Sequence, residues 1–166
     1  MTIGIVGLGL IGGSLARTIK VHTDFTVLGQ DIDPQTMLQA DLLGAIDGTL
    51  TEENLAECDV VLVALYPAAI VEWITAHQTQ FKPGAWVIDC GGVKQAVCTP
   101  LDALSKDKPW HFCGGHPMAG REFSGFRYAK DDLFDRASMI LTPVAGTTPE
   151  TLTWLKDFFL TLGFRR

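Results

Sequence analysis

Residues 2–14 read TIGIVGLGLIGGS, and this stretch decides the fold of the chain. The apolar run Thr2–Val6 predicts a short buried strand. It is followed at once by residues 7–12, GLGLIG, which match the pattern GxGxxG. An apolar helical segment is predicted to begin at about Leu10. A strand, a glycine-rich turn and a helix in this order are typical of a dinucleotide-binding unit.

Each glycine of this loop has a physical task. Gly7 permits a tight turn, and Gly9 lets the backbone approach a pyrophosphate. Gly12 allows the helix to pack closely against the strand, while the N–H groups at the helix N-terminus bind phosphate oxygens. Ser14, in the first helical turn, either adds a hydroxyl to this site or is a solvated helix residue. The cofactor contacts expected from the loop are Gly7, Leu8, Gly9, Leu10, Ile11 and Gly12.

An acid at the end of the second predicted strand indicates which dinucleotide binds. Asp31 follows Gly12 by 19 residues and closes the predicted strand Phe25–Gln30. A carboxylate there accepts hydrogen bonds from the adenosine ribose and repels the 2′-phosphate of NADP. No Lys or Arg stands in residues 32–34 to attract that phosphate. The sequence therefore predicts NAD as the cofactor; the alternative is a glycine turn in a fold that has lost its nucleotide.

Strands and helices alternate along the rest of the chain. Asp33 is expected to cap a helix that begins at Pro34, and Thr148 a final helix that begins at Pro149. The alternation predicts one α/β domain over residues 1–166, a Rossmann-type, doubly wound, mostly parallel sheet with helices on both faces. The remaining predicted features are strands at Asp59–Ala64, Ala85–Asp89, Trp110–Gly114 and Ser138–Thr142, helices from Pro67 and about Val93, and a helix stop at Gly44.

The composition is that of an ordinary globular protein. Of the 166 residues, 47% are hydrophobic and 19% charged, and the net charge is -6. An acidic chain lacks the basic face that nucleic acids and anionic membranes require, so neither is an expected partner. No apolar run reaches the roughly 18 residues that span a bilayer, and no signal-peptide pattern opens the chain. The scattered cysteines and histidines predict a reduced, cytoplasmic protein without a metal site.

A second unusual segment, GGHPMAGREFSG, occupies residues 114–125. It contains His116 between glycines and a proline, in a predicted loop after the carboxyl end of a strand. Ligands bind at such ends in open α/β sheets, and imidazole accepts protons near neutral pH. From the residues alone, a catalytic role and a structural role for His116 are equally open.

The chain resembles the prephenate/arogenate dehydrogenase family over essentially its whole length. The resemblance rests on segments in the family's order: GLGLIGGS, the Asp31 ending, DVVLVALYP, PGAWVIDCGGVK, GGHPMAGREFSG and DDLFDRASMILTP. It implies NAD(P)-dependent removal of hydride from the hydroxyl-bearing ring carbon of prephenate, followed by loss of carbon dioxide to give 4-hydroxyphenylpyruvate. The expected function is the nucleotide-binding domain of a prephenate dehydrogenase in tyrosine biosynthesis, with arogenate as the alternative small-molecule substrate.

The resemblance also implies roles for individual residues. His116 matches the histidine that hydrogen-bonds the substrate hydroxyl and assists its deprotonation, and Glu122 matches an acid with a gating or electrostatic role. Gly92 replaces the serine of the family's D-x-x-S-V-K segment, which helps to bind the reacting hydroxyl. Water or a backbone group must therefore bind this hydroxyl, or the substrate differs. The weaker substrate-binding candidates are Gly92, His116, Arg121 and Ser124. The further cofactor-binding candidates are Leu65, Tyr66, Pro67, Asp89 and Gly91, of which Asp89, like Lys94, is alternatively structural.

The family further implies a second, helical domain that forms a homodimer and supplies an arginine to the substrate carboxylate. Residues 163–166 are interpreted as a helix stop followed by the start of another strand. The chain is therefore expected to be part of a longer protein, and alone to bind NAD but turn over prephenate poorly. Two other functions remain open: a related β-hydroxyacid or imine dehydrogenase, and a non-catalytic NAD-sensing module.

Overall fold

The computed structural model describes residues 1–120 and 122–165. The strands in this part of the chain are β1 (Thr2–Val6), β2 (Thr26–Gln30), β3 (Gly48–Thr49), β4 (Val60–Val63), β5 (Trp86–Asp89), β6 (His111–Pro117) and β7 (Met139–Pro143). They form one sheet in the order β3-β2-β1-β4-β5-β6-β7. Every neighbouring pair is parallel except β6 and β7, which are antiparallel.

The α-helices of the described residues are α1 (Leu10–His22), α2 (Pro34–Leu42), α3 (Pro67–His77), α4 (Lys94–Ser105) and α5 (Pro149–Thr161). Successive residues of β4, such as Val61 and Leu62, point into two different apolar clusters, one on each face of the sheet. Helices α1 and α5 pack into the cluster of Leu62, whereas α3 and α4 pack into that of Val61. The predicted doubly wound, mostly parallel sheet with helices on both faces is confirmed.

Several predicted boundaries are confirmed as well. Strand β1 has the predicted bounds, and α1 begins at Leu10. The Asp33 carboxylate accepts two backbone N–H groups from the first turn of α2, and the Thr148 hydroxyl accepts one from the first turn of α5. Gly44, just beyond α2, has a φ of 63°, a conformation that glycine adopts without strain. Local chemistry is therefore sufficient to set these helix ends.

Strand β6 is longer than predicted, and this corrects the position of His116. The strand continues past Gly114 to Pro117, so His116 lies in the sheet and not in a loop. Its antiparallel partner is responsible, because His116 pairs with Ile140 of β7. This pairing joins segments distant in sequence, and a local reading of glycines and a proline could not detect it.

Two further expectations need correction. Ser14 is neither a phosphate ligand nor solvated: it is completely buried, and its hydroxyl accepts the backbone N–H of Lys130 at 3.0 Å. Gly163 ends α5 with a φ of 87°, as predicted. However, Phe164 and Arg165 do not begin a strand, and Arg166 lies outside the described residues.

The cysteines are unpaired thiols, as predicted. Burial raises the pKa of Cys58, Cys90 and Cys113 to about 12 each, so these thiols stay protonated and unreactive at neutral pH. Within the described residues, no helix has the length and apolar character needed to cross a membrane.

The glycine loop is a closely packed junction between β1, α1 and β4. Gly7 has a φ of 84°, and a Cβ on it would lie 2.6 Å from the carbonyl oxygen of Ala64 at the end of β4. A Cβ on Gly12 would overlap the carbonyl oxygen of Gly7. A Cβ on Gly9, by contrast, would have no atom within 4 Å. Two of the three glycines are therefore required by packing, and the middle one is not.

We expect Gly12→Ala to lower the free energy of unfolding by about 3 kcal/mol, because the added methyl group must displace backbone. Gly9→Ala is the matched control, with an expected loss below about 1 kcal/mol, since alanine only replaces glycine at a helix N-cap. Urea unfolding of both variants measures the difference. Equal stability of the two variants would contradict the packing role of Gly12.

Candidate nucleotide-binding site

A cleft of about 680 Å³ opens at the carboxyl ends of β1, β2, β4 and β5. It lies where the order of the sheet reverses, since β1 has β2 on one side and β4 on the other. This is the position at which open α/β sheets bind ligands, and the volume is that of a small-molecule site. The sequence-predicted residues that line it are Gly7, Gly9, Leu10, Ile11, Asp31, Leu65, Tyr66, Pro67, Gly91, Gly92 and Ser124.

The N-terminus of α1 faces this cleft. Gly9 is its N-cap residue, and within the described chain no side chain caps the helix and no acid stands in its first turn. The uncapped N–H groups and the positive end of the helix dipole together favour an anion. Because a Cβ on Gly9 would occupy open space, the backbone here is accessible to a ligand. The loop therefore fits a phosphate or pyrophosphate group.

Asp31 stands at the end of β2, on the rim of the cleft. Its Oδ2 accepts the N–H of Leu8 at 2.7 Å, and its Oδ1 accepts the N–H of Asp33 at 2.9 Å. The carboxylate is thus fixed to the glycine loop before any ligand arrives. Among the described residues that line the cleft, none is a lysine, arginine or histidine.

Two of the predicted loop contacts lie behind the cleft rather than on its surface. The side chain of Leu8 is buried in the core, and only its backbone N–H reaches the site, through Asp31. Gly12 packs against Gly7 and does not line the cleft.

Asp89 also lies behind the cleft. Its side chain is fully buried and forms an ion pair with Lys94. Its Oδ1 accepts the N–H of Gly91 at 3.0 Å, and its Oδ2 that of Gly115 at 3.4 Å. Burial raises the pKa of the Asp89 carboxyl, and the hydrogen bond and charge of Lys94 with these two N–H groups limit the rise. The carboxylate is occupied by protein groups.

His116 is half-buried at the end of β6, beside the Gly91–Gly92 turn. A Cβ on Gly92 would lie 3.7 Å from both Cε1 and Nε2 of its ring. The histidine therefore adjoins a residue of the cleft wall without lining the cleft itself. Glu122 is exposed and does not line the cleft, Ser124 is exposed and does, and Arg121 lies outside the described residues.

Several cleft residues were not predicted. Gln30 ends a predicted strand, Ile32 lies two residues beyond the same strand, and Cys90 directly follows another. Their position at strand ends is the signal that could have identified them. Trp73 comes from the interior of α3, and no local pattern marks it.

Comparison with known proteins agrees with this geometry. The family model described as "Prephenate dehydrogenase, nucleotide-binding domain" matches residues 15–165. A prephenate dehydrogenase of Bacillus subtilis is 34% identical over 160 residues, which are 94% of this chain and 43% of the relative. The chain therefore spans about half the length of such relatives.

Solved structures give the same answer. The arogenate dehydrogenase of Synechocystis has a TM-score of 0.90 at 30% identity, covering 99% of this chain and 58% of that one. A prephenate dehydrogenase from Aquifex aeolicus, in complex with hydroxyphenyl propionate and NAD+, has a TM-score of 0.87 at 30% identity, with the same coverage of 99% and 58%. The glycine loop, the cleft at the reversal of the sheet and the match over residues 15–165 together show that the chain belongs to the family of prephenate dehydrogenase nucleotide-binding domains.

Proposed function

We propose that this chain binds NAD and is the nucleotide-binding part of an NAD-dependent prephenate dehydrogenase. One observation carries the proposal: the uncapped N-terminus of α1, the open space at Gly9 and the Asp31 carboxylate all border one cleft. These groups match the pyrophosphate and ribose of a dinucleotide. The residues that would hold it are those of the glycine loop, Asp31, and the cleft walls at residues 65–67 and Gly91.

NAD is favoured over NADP by charge. Asp31 repels a 2′-phosphate, and the described cleft lining supplies no cation to balance it. Ile32, the next residue, is fully exposed at the rim and offers only apolar surface. The complex of the Aquifex aeolicus relative with NAD+ supports the same choice.

When bound, NAD accepts the hydride from the ring carbon of prephenate that carries the hydroxyl group. The remaining task for the protein is to take up the hydroxyl proton, for which a neutral imidazole is suited. We assign this task to His116, which adjoins the Gly91–Gly92 wall of the cleft. Ser124 and Arg121 are assigned to substrate binding, and Glu122 to an electrostatic or gating role.

Arogenate is the second candidate substrate, because the Synechocystis relative is an arogenate dehydrogenase. A non-catalytic NAD-sensing module would need only the glycine loop and Asp31.

A homodimer and a cytoplasmic location complete the proposal. The free thiols of the described chain support a reducing compartment.

Asp31→Asn tests the cofactor assignment in the 166-residue chain. We expect the affinity for NAD to fall about tenfold, because charged hydrogen bonds to the ribose become neutral. The affinity for NADP should rise, because the repulsion is removed. Calorimetric titration with both nucleotides measures this, and Asp33→Asn, which alters a cap outside the cleft, is the control. A wild-type chain that prefers NADP would refute the assignment.

His116→Asn tests the catalytic assignment in the natural polypeptide that contains this chain. We expect turnover of prephenate to fall by about 10²- to 10⁴-fold, the usual contribution of a general base, with unchanged affinity for NAD. His111→Asn, at the opposite end of β6, should leave turnover unchanged. NADH formation from prephenate and from arogenate is compared in each variant. Full activity of His116→Asn would eliminate the proposed role of the histidine. Absence of turnover in the wild-type polypeptide would favour the NAD-sensing alternative.

Gly92→Ser tests the departure from the family's serine. The glycine has no positive φ and a Cβ would be in ordinary contact with His116, so a serine should fit without loss of stability. We expect kcat/KM for prephenate to rise about fivefold, from one hydrogen bond to the substrate hydroxyl worth about 1 kcal/mol. Gly91→Ser is the contrast, because its Cβ would lie 2.9 Å from Cδ1 of Ile70, a side chain that is fully buried and can give way only by repacking the core. A fall in kcat/KM for Gly92→Ser would mean that this site needs the open space.

A further inference from the structure

Behind the cleft, the ion pair between Lys94 and Asp89 has no part in the function proposed above. Lys94 is the first residue of α4, and its Nζ donates to Oδ1 of Asp89 and to the carbonyl oxygen of Gly115. The Asp89 side chain has 0% exposure and that of Lys94 has 18%. Removing two charges from water is costly, so a buried pair is weak evidence for added stability. Its geometry indicates another purpose.

Next to His116, the Lys94–Asp89 pair binds backbone groups of β6 that β5 is too short to bind. Strand β5 ends at Asp89, which pairs with Gly114, whereas β6 continues to Pro117. The next residue of β6, Gly115, is therefore beyond the last paired residue of β5. Its N–H is directed to Asp89 Oδ2 at 3.4 Å, and its carbonyl oxygen accepts the Lys94 ammonium. The side chains of Asp89 and Lys94 thus bind the N–H and the carbonyl oxygen of the residue that directly precedes His116.

The same ion pair also binds the cleft wall formed by Gly91 and Gly92. Asp89 Oδ1 accepts the N–H of Gly91 at 3.0 Å, and Gly91 and Gly92 line the cleft. Gly92 is the residue whose Cβ would lie 3.7 Å from Nε2 of His116. One buried ion pair is therefore bonded to both backbone segments that meet at this contact.

We propose that Lys94 is a positioning residue, which through Asp89 and Gly115 sets the place of the His116 imidazole against the Gly91–Gly92 wall. The consequence for turnover rests on the proposed role of His116, whereas the effect on the ring does not. Displacement of a reacting group by about 1 Å can lower a rate by about 100-fold. A lysine outside the cleft can therefore control the reaction without touching substrate or cofactor.

Lys94→Met in the 166-residue chain is the direct test, read by NMR of the histidine side chains. Methionine keeps the unbranched stem and removes the charge and its donors. We expect the His116 imidazole signals to shift and broaden, while those of His22, His77 and His111 stay in place. Lys20→Met is the matched control, because it breaks the Lys20–Asp47 pair, away from the cleft, and should leave His116 unchanged.

Loss of Lys94 leaves a buried carboxylate without a cation, which can prevent folding. The double variant Asp89→Asn/Lys94→Met removes both charges and keeps His116 observable in that case. Lys94→Arg restores a cation and should return the His116 signals part of the way toward the wild type. Unchanged His116 signals in a folded variant that lacks Lys94 would overturn the proposal. A common shift of all four histidines would overturn it too, because it would indicate general loosening.

Turnover supplies the second readout, in the natural polypeptide that contains this chain. We expect Lys94→Met to lower kcat about 100-fold, with less than a tenfold change in the affinity for NAD, because the glycine loop and Asp31 are untouched. An equal loss of both would overturn the positioning role. The NMR measurement needs neither nucleotide nor substrate, so a wild-type protein without dehydrogenase activity would refute the proposed function and leave the positioning result intact.

Discussion

The carbonyl oxygen of Gly7 occupies the space that a side chain on Gly12 would need, and the rest of the structure depends on this contact. It allows α1 to start directly beyond β1 and lie close to the sheet. The start of the helix then points into the cleft with its backbone uncovered at Gly9, and no described side chain competes for its N–H groups. The packing requirement and the anion site are therefore two results of one arrangement of glycines.

At the ends of several strands, aspartate carboxylates accept hydrogen bonds from backbone N–H groups. A strand that extends beyond its neighbour has backbone N–H groups without a partner in the sheet. The short side chain of an aspartate can supply an acceptor for them. Asp59 does this for Thr2 and Asp47 for Val27, at the amino ends of β1 and β2. At the carboxyl ends, Asp31 fixes the glycine loop and Asp89 fixes the Gly91 turn. An acid after a strand therefore has a structural use even where it also borders a site.

An aspartate at a strand end can therefore be structural, part of a site, or both. This explains why the sequence placed one such residue in the cleft correctly and another not. Asp31 lies on the cleft as its spacing from Gly12 indicated, and its bond to Leu8 is an additional finding. Asp89 has the same local signal, a carboxylate closing an apolar strand, yet its side chain is completely buried. The two carboxylates differ in burial and partners: Asp31 lines the cleft, whereas Asp89 is bonded to Lys94, Gly91 and Gly115. Burial of that kind depends on contacts across long sequence separations, which no local pattern contains.

The sequence by itself determined the α/β class, the first strand and helix, the helix caps at Asp33 and Thr148, and the glycine loop, because each follows from hydrogen bonds and sterics within a few residues. Only the tertiary structure decided that His116 lies in a strand, since the pairing with Ile140 extends β6. It also decided that Lys94 reaches back to Gly115, 21 residues away in the chain. Such contacts form only when the sheet brings distant segments side by side, so their partners cannot be read from neighbours in sequence.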